Sequence, residues 1–151
     1  MLLSPDPETL THRLILPRDA NHHGTLYAGS LVSLALEAAY ATAYRAVGDS
    51  ANLVLKRVVD LRCLEPVPIG EVVQIRGSVL WTRTAQVIVG LNGAPLKGRK
   101  DSWMDAIMQF VQIDASGRPR PLDESVAIDR LDAPPPWSLL RSRAERLLPI
   151  R

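Results

Sequence analysis

Residue types able to do chemistry gather in one stretch: Arg18-Asp19-Ala20-Asn21-His22-His23-Gly24, then Tyr27-Ala28-Gly29-Ser30, with Glu37 two helical turns further on. A polar loop here runs into the start of a helix. The first N–H groups of a helix lack intrahelical acceptors and lie at the positive end of its dipole. An oxyanion is stabilised there, and glycine at position 29 lets a substrate approach the backbone closely. Glu37 then places a carboxylate on an otherwise apolar helix. Burying that charge unpaired would be costly, so the group is protonated, hydrogen-bonded or facing a polar cavity. Asn21 has two readings: it donates a hydrogen bond to a carbonyl or a water, or it closes an Asx turn. Backbone donors, an amide and a carboxylate suit hydrolysis of an activated ester without a serine or cysteine nucleophile.

Other reactive side chains read as bland. His22 and His23 are expected to be solvated loop residues, and His12, His22 and His23 have no metal-ligand spacing, so no metal site is expected. Cys63 lies in a strand with no activating base and is expected in the core. A single cysteine excludes an intramolecular disulfide and suits a reducing cytoplasm.

The elements that must position these groups follow from pattern. Ser30 to Val47 is rich in alanine and stopped by Gly48-Asp49. It is apolar almost all round, which marks a helix buried on several sides. Ser30, Ser33, Glu37, Tyr40 and Tyr44 still form one polar stripe. Strands are expected at Thr9–Leu16, Asn52–Leu64, Glu71–Thr84, Ala85–Leu91 and Trp103–Ile113. The order predicts an α+β architecture, a consecutive antiparallel meander with the helix on one face. A sheet covers only part of so apolar a helix, and the remainder predicts a partner subunit. Residues 1–9 read as a lead-in, 10–115 as the domain, and 116–151 as a tail with a short helix at Ser138–Leu148. Six of the twelve prolines lie in that tail.

Composition narrows the class. With 151 residues, 46% hydrophobic and 23% charged, the chain fits one globular domain and is not disordered. No apolar run approaches the roughly 18 residues of a membrane span. A net charge of +2 with interspersed signs offers no nucleic-acid-binding face. The start, MLLSPDPETL, lacks the features of a secretory signal.

The loop and helix resemble those of the hotdog-fold acyl-CoA thioesterases. Their loop P-x-D-A-N-x-x-G-x-x-x-[AG]-G is matched by Pro17, Asp19, Ala20, Asn21, Gly24, Ala28 and Gly29, and their helix L-x-x-x-x-x-E-A by Leu31 to Ala38. Downstream, Leu64 to Val73 is similar to the family's F-x-x-P-x-x-x-G-[ED]-x-[VL] junction. The segment Val111 to Pro121 is similar to its closing V-x-x-D-x-x-G-x-P-x-P. The resemblance spans roughly residues 10–122. It implies a five-stranded antiparallel sheet wrapped around a long central helix, and a homodimer or higher homo-oligomer. It also implies hydrolysis of acyl-CoA to acid and CoA at the dimer interface. Asn21, Gly29 and Glu37 would be catalytic, with Gly29 N–H polarising the thioester carbonyl and Glu37 acting as general base or nucleophile. His23, Gly24, Ala28 and Ser33 would bind substrate. No cofactor is implied, since coenzyme A belongs to the substrate, and neither nucleic acid nor membrane is an expected partner. Two positions depart from the pattern: Ala28 replaces the first glycine of a usual pair, and Glu37 lies one step past Leu36, where many members carry their acid. A second reaction class, the hotdog hydroxyacyl dehydratases, pairs a histidine and a glutamate at the separation of His23 and Glu37. A hotdog protein that binds thioesters without chemistry is the third reading.

Overall fold

The computed structural model describes residues 8–149. Five strands and two helices follow in the order β1 (Glu8–Leu14), α1 (Ala28–Val47), β2 (Leu53–Cys63), β3 (Val72–Arg83), β4 (Gln86–Gly93), β5 (Met104–Gln112) and α2 (Trp137–Leu147). A short 3-10 turn, Pro17–Asp19, precedes α1. Each element lies within two residues of its expected bounds. Of the expected lead-in, Glu8 and Thr9 already belong to β1, and residues 1–7 lie outside the described residues.

The sheet is antiparallel throughout, but it is not the consecutive meander expected from chain order. Its strand order is β1-β3-β4-β5-β2. Only β3, β4 and β5 form a meander. After β1 the chain crosses the sheet as α1 and emerges at the far side, so β2 forms the opposite edge and pairs with β5. A strand's neighbour is set by where the preceding helix delivers the chain, which local pattern does not encode.

Alternation along the strands sorts side chains to two faces. Val73, Ile75 and Val79 of β3, Val87, Val89 and Leu91 of β4, and Ala106, Met108 and Phe110 of β5 point toward α1. The helix answers with Leu31, Leu34, Ala35, Ala38, Ala39, Thr42 and Ala43, all buried. Alanine at four of these seven positions lets the helix lie close to the sheet. Gly77 permits the closest approach, because a Cβ there would collide with the Thr42 hydroxyl. The helix ends at Gly48, whose φ of 96° suits glycine and whose N–H donates to Tyr44 O at 2.8 Å. Contrary to burial on several sides, α1 is covered by its own chain on one face. Val32, Tyr40 and Tyr44 stay exposed on the other.

The segment after residue 115, read as a tail, returns over the opposite face of the same sheet. Its backbone bonds β3 on the way, Thr82 N–H donating to Ile128 O at 3.0 Å and Arg130 N–H to Leu80 O at 2.8 Å. Then α2 sets Trp137, Leu140 and Ala144 on Leu80, Ile88 and Ile107 as a second core. The indole of Trp137 is fully buried, and its Nε1–H donates to Glu8 at 2.7 Å. Arg143 of α2 meets Asp105 of β5 at 2.8 Å, and Arg62 of β2 meets the same carboxylate at 2.7 Å. The prolines punctuate this return path and do not mark a loose end.

Candidate active site

The loop before α1 is built by two side chains. Asp19, almost fully buried, accepts from Leu16 N–H at 2.9 Å and from Arg13 at 3.3 Å, fixing the 3-10 turn. Asn21 Oδ1 accepts from the N–H groups of His23 at 2.9 Å and Thr25 at 3.2 Å, while its Nδ2 donates to Thr25 Oγ1 at 3.1 Å. This is the Asx-turn reading of Asn21: within one chain its amide is engaged in holding the loop. Gly24 closes the turn at φ 77°, its N–H donating to Asn21 O at 3.1 Å.

The loop delivers the chain to an open helix end. Tyr27 is the N-cap and makes no side-chain capping bond, and the first turn carries no acidic residue. The first backbone bond of the helix runs from Leu31 N–H to Tyr27 O at 2.9 Å. The N–H groups ahead of it, including that of Gly29, therefore lack helical acceptors. A Cβ at position 29 would run into the Tyr27 ring folded over it, so any other residue there needs that exposed ring to move.

Two clefts meet at Glu37. The first, about 300 Å³, is polar and runs from Gly29 and Ser30 past Ser33 to Glu37, with Arg13, Asp19, Tyr27 and Leu34 as walls. The second, about 370 Å³, is apolar and passes from Glu37 over Leu36, Tyr40, Leu53, Leu55 and Phe110. The Tyr40 ring stands edge-on to Phe110 at 5.9 Å. Glu37 is exposed in the single chain, on the helix face its own sheet leaves uncovered. Of the three environments open to its charge, the structure selects a polar opening.

Of the sequence candidates, Gly29, Ser33 and Glu37 thus share one cleft, while Asn21, His23, Gly24 and Ala28 do not line it. His22 and His23 are solvated, with ring centroids 3.9 Å apart. The His23–Glu37 pairing needed for dehydration is not assembled within one chain. Cys63, expected in the core, is exposed near the open edge; partial desolvation of its Sγ pushes the thiol pKa up, so it is not an activated nucleophile. Arg13 and the trough residues Leu53, Leu55 and Phe110 escaped the sequence reading as parts of the site. Arg13 and Leu53 belong to strands at opposite edges of the sheet, and no local motif links them to the loop.

No family model and no curated protein sequence matches the chain. Solved structures do. An acyl-CoA hydrolase from Staphylococcus aureus, in complex with butyryl coenzyme A and coenzyme A, superposes with a TM-score of 0.69 at 24% identity, covering 93% of this chain and 86% of that one. An acyl-CoA hydrolase from Bacillus cereus gives 0.74 at 20% identity, covering 93% and 85%. A hexameric thioesterase from Yersinia pestis gives 0.69 at 23% identity, covering 80% and 100%. The chain has the hotdog fold. In hotdog terms α1 is the central helix, and both clefts open along its uncovered side. Among the described residues no group of histidine, cysteine or acidic side chains is placed to hold a metal ion, and no helix is long and apolar enough to cross a membrane.

Proposed function

We propose that this protein hydrolyses acyl-CoA thioesters to a free acid and CoA. One observation carries the reading: Glu37 stands where a polar cleft, open to the uncapped start of α1, meets an apolar trough. A thioester needs these three things together. The trough takes an apolar acyl chain, backbone N–H donors at Gly29 hold the carbonyl oxygen as it gains charge, and the carboxylate activates water on the carbonyl carbon. Water loses a proton to Glu37, the C–S bond breaks, and the thiol leaves as CoA. Direct attack by Glu37 through an acyl-enzyme anhydride is the other route.

A second copy completes the site in this reading. The helix face carrying Glu37 is uncovered, and β2, at the sheet edge beside it, presents Val54, Leu55 and Val58 to solvent. A dimer across this face sets the loop of one chain, with Asn21 and His23, opposite Glu37 of the other. The resemblance to hexameric thioesterases supports such an assembly.

Release of CoA from acyl-CoAs of graded chain length, followed with a thiol reagent, tests the proposal. Turnover of at least one chain length is expected, and Glu37→Gln should lower kcat by about 100-fold or more with assembly unchanged. Binding of acyl-CoA without turnover at any chain length would leave only a thioester-binding protein.

A further inference from the structure

Tyr27 lines the polar cleft, yet hydrolysis as described leaves its side chain without a task. It is the last residue before α1, and its backbone is clamped on both sides. Its N–H donates to Asp19 O at 2.8 Å, and its C=O accepts the first helical bond from Leu31 N–H at 2.9 Å. Just ahead of it Leu26 is buried, its N–H donating to Val67 O at 2.7 Å. Tyr27 itself is extended, with φ −73° and ψ 143°. Neighbouring side chains on extended backbone point apart. With Leu26 in the core, the Tyr27 side chain is sent outward, over the opening of the helix.

There the ring lies on Gly29. Its phenolic carbon stands 3.1 Å from where a Cβ of residue 29 would be, so the hydroxyl-bearing edge overhangs the helix start. Bond lengths then put the phenol oxygen within about 7 Å of the Gly29 nitrogen. Two hydrogen bonds to one oxygen span up to about 5.5 Å between their donors, so at most a small side-chain rotation brings both to the same atom. The ring is free to make it: Tyr27 is 55% exposed, and among the described residues its hydroxyl has no hydrogen-bond partner. Other donors of the cleft are less well placed. Arg13 is held by Asp19 at 3.3 Å, and Ser33 lies a turn further along α1.

We propose that Tyr27 is a further catalytic residue, an inference that rests on the hydrolase reading. Its phenol O–H donates to the thioester oxygen beside the Gly29 N–H. That oxygen gains charge as water adds to the carbonyl carbon, and donors aimed at it in advance stabilise the charge as it develops. The phenol keeps its proton throughout, so the bonds made and broken are those of the hydrolysis itself. Two donors of different origin then meet at one atom: a backbone N–H fixed by the helix, and a side chain whose anchor is fixed by the loop. A phenylalanine would pack on Gly29 equally well. Only catalysis uses the hydroxyl.

Tyr27→Phe keeps the ring and removes the donor, which separates the two roles. The position is exposed, so the urea midpoint should stay at the wild-type value. With the acyl-CoA that the wild type turns over best, kcat should fall by about 10- to 100-fold while KM stays within about twofold. A phenylalanine variant with wild-type kcat overturns the proposal and leaves the hydrolase reading standing. A second readout needs no turnover. In an acyl-CoA analogue whose thioester sulfur is replaced by methylene, the isotope-labelled ketone C=O stretch reports hydrogen bonding to the carbonyl oxygen. It should lie at lower frequency in the wild-type complex than in the Tyr27→Phe complex. Equal frequencies overturn the proposal whether or not the protein hydrolyses its ligand. Failure of the wild type to bind the analogue removes the hydrolase reading itself, and the role of Tyr27 with it.

Discussion

Glu37 and Asp105 show how differently two carboxylates in one small fold are placed. Glu37 is exposed on one chain and is assigned chemistry because of the openings it joins. Asp105 is buried and assigned structure, because it receives Arg62 and Arg143 and ties β2 and α2 to β5. Burial pushes the Asp105 carboxyl up, but hydrogen bonds and charge from the two arginines outweigh it and hold it below the usual carboxylate range. A carboxyl depressed in the folded state contributes stability that is complete above its unfolded pKa, about 3.9. That contribution is lost as pH falls through the folded value. Asp105→Asn should therefore cost about 2 kcal/mol at neutral pH. The variant and wild type should converge in acid, measured by urea titration along a pH series. A constant gap down to pH of about 2 would remove the carboxylate's charge as the cause.

At the scale of elements, α2 carries the most information. Trp137→Ala removes a fully buried indole from the second core and its bond to Glu8, with an expected loss of about 4 kcal/mol in chemical denaturation. If residues 116–149 were a dispensable tail, the loss would be within about 0.5 kcal/mol. The end of α1 gives a cleaner backbone test. Gly48→Ala puts a Cβ on backbone at φ 96° and ψ −167°, a region essentially confined to glycine, an expected cost of about 1–3 kcal/mol with no change in catalysis.

For the molecule as a whole, the decisive feature is what one chain leaves open. Val32, Tyr40 and Tyr44 of α1 and Leu55 and Val58 of β2, on one side of the sheet, are each about two-fifths exposed, along a strand edge unpaired in the single chain. Contiguous apolar surface beside an unpaired edge marks an association face. Analytical ultracentrifugation should find a dimer or higher assembly, and Val58→Glu should shift it toward monomer and lower hydrolysis in parallel. A monomeric wild type with full activity would place the whole site within one chain.

Much was legible without coordinates, and for a physical reason. Element type follows from periodicity, so all five strands and α1 are legible within two residues, and the anionic preference of the α1 start follows from its unpaired first N–H groups and dipole. The apolar outer face of α1 is likewise legible, and the structure leaves it uncovered by its own chain. Strand order, the seat of α2 and the exposure of Cys63 were not legible. Each depends on contacts between residues tens of positions apart, whose energies appear only when the chain has closed on itself. Asn21 shows the boundary best: its type allows both a turn and a ligand contact, and the positions of Thr25 and His23 in space show that it makes the turn.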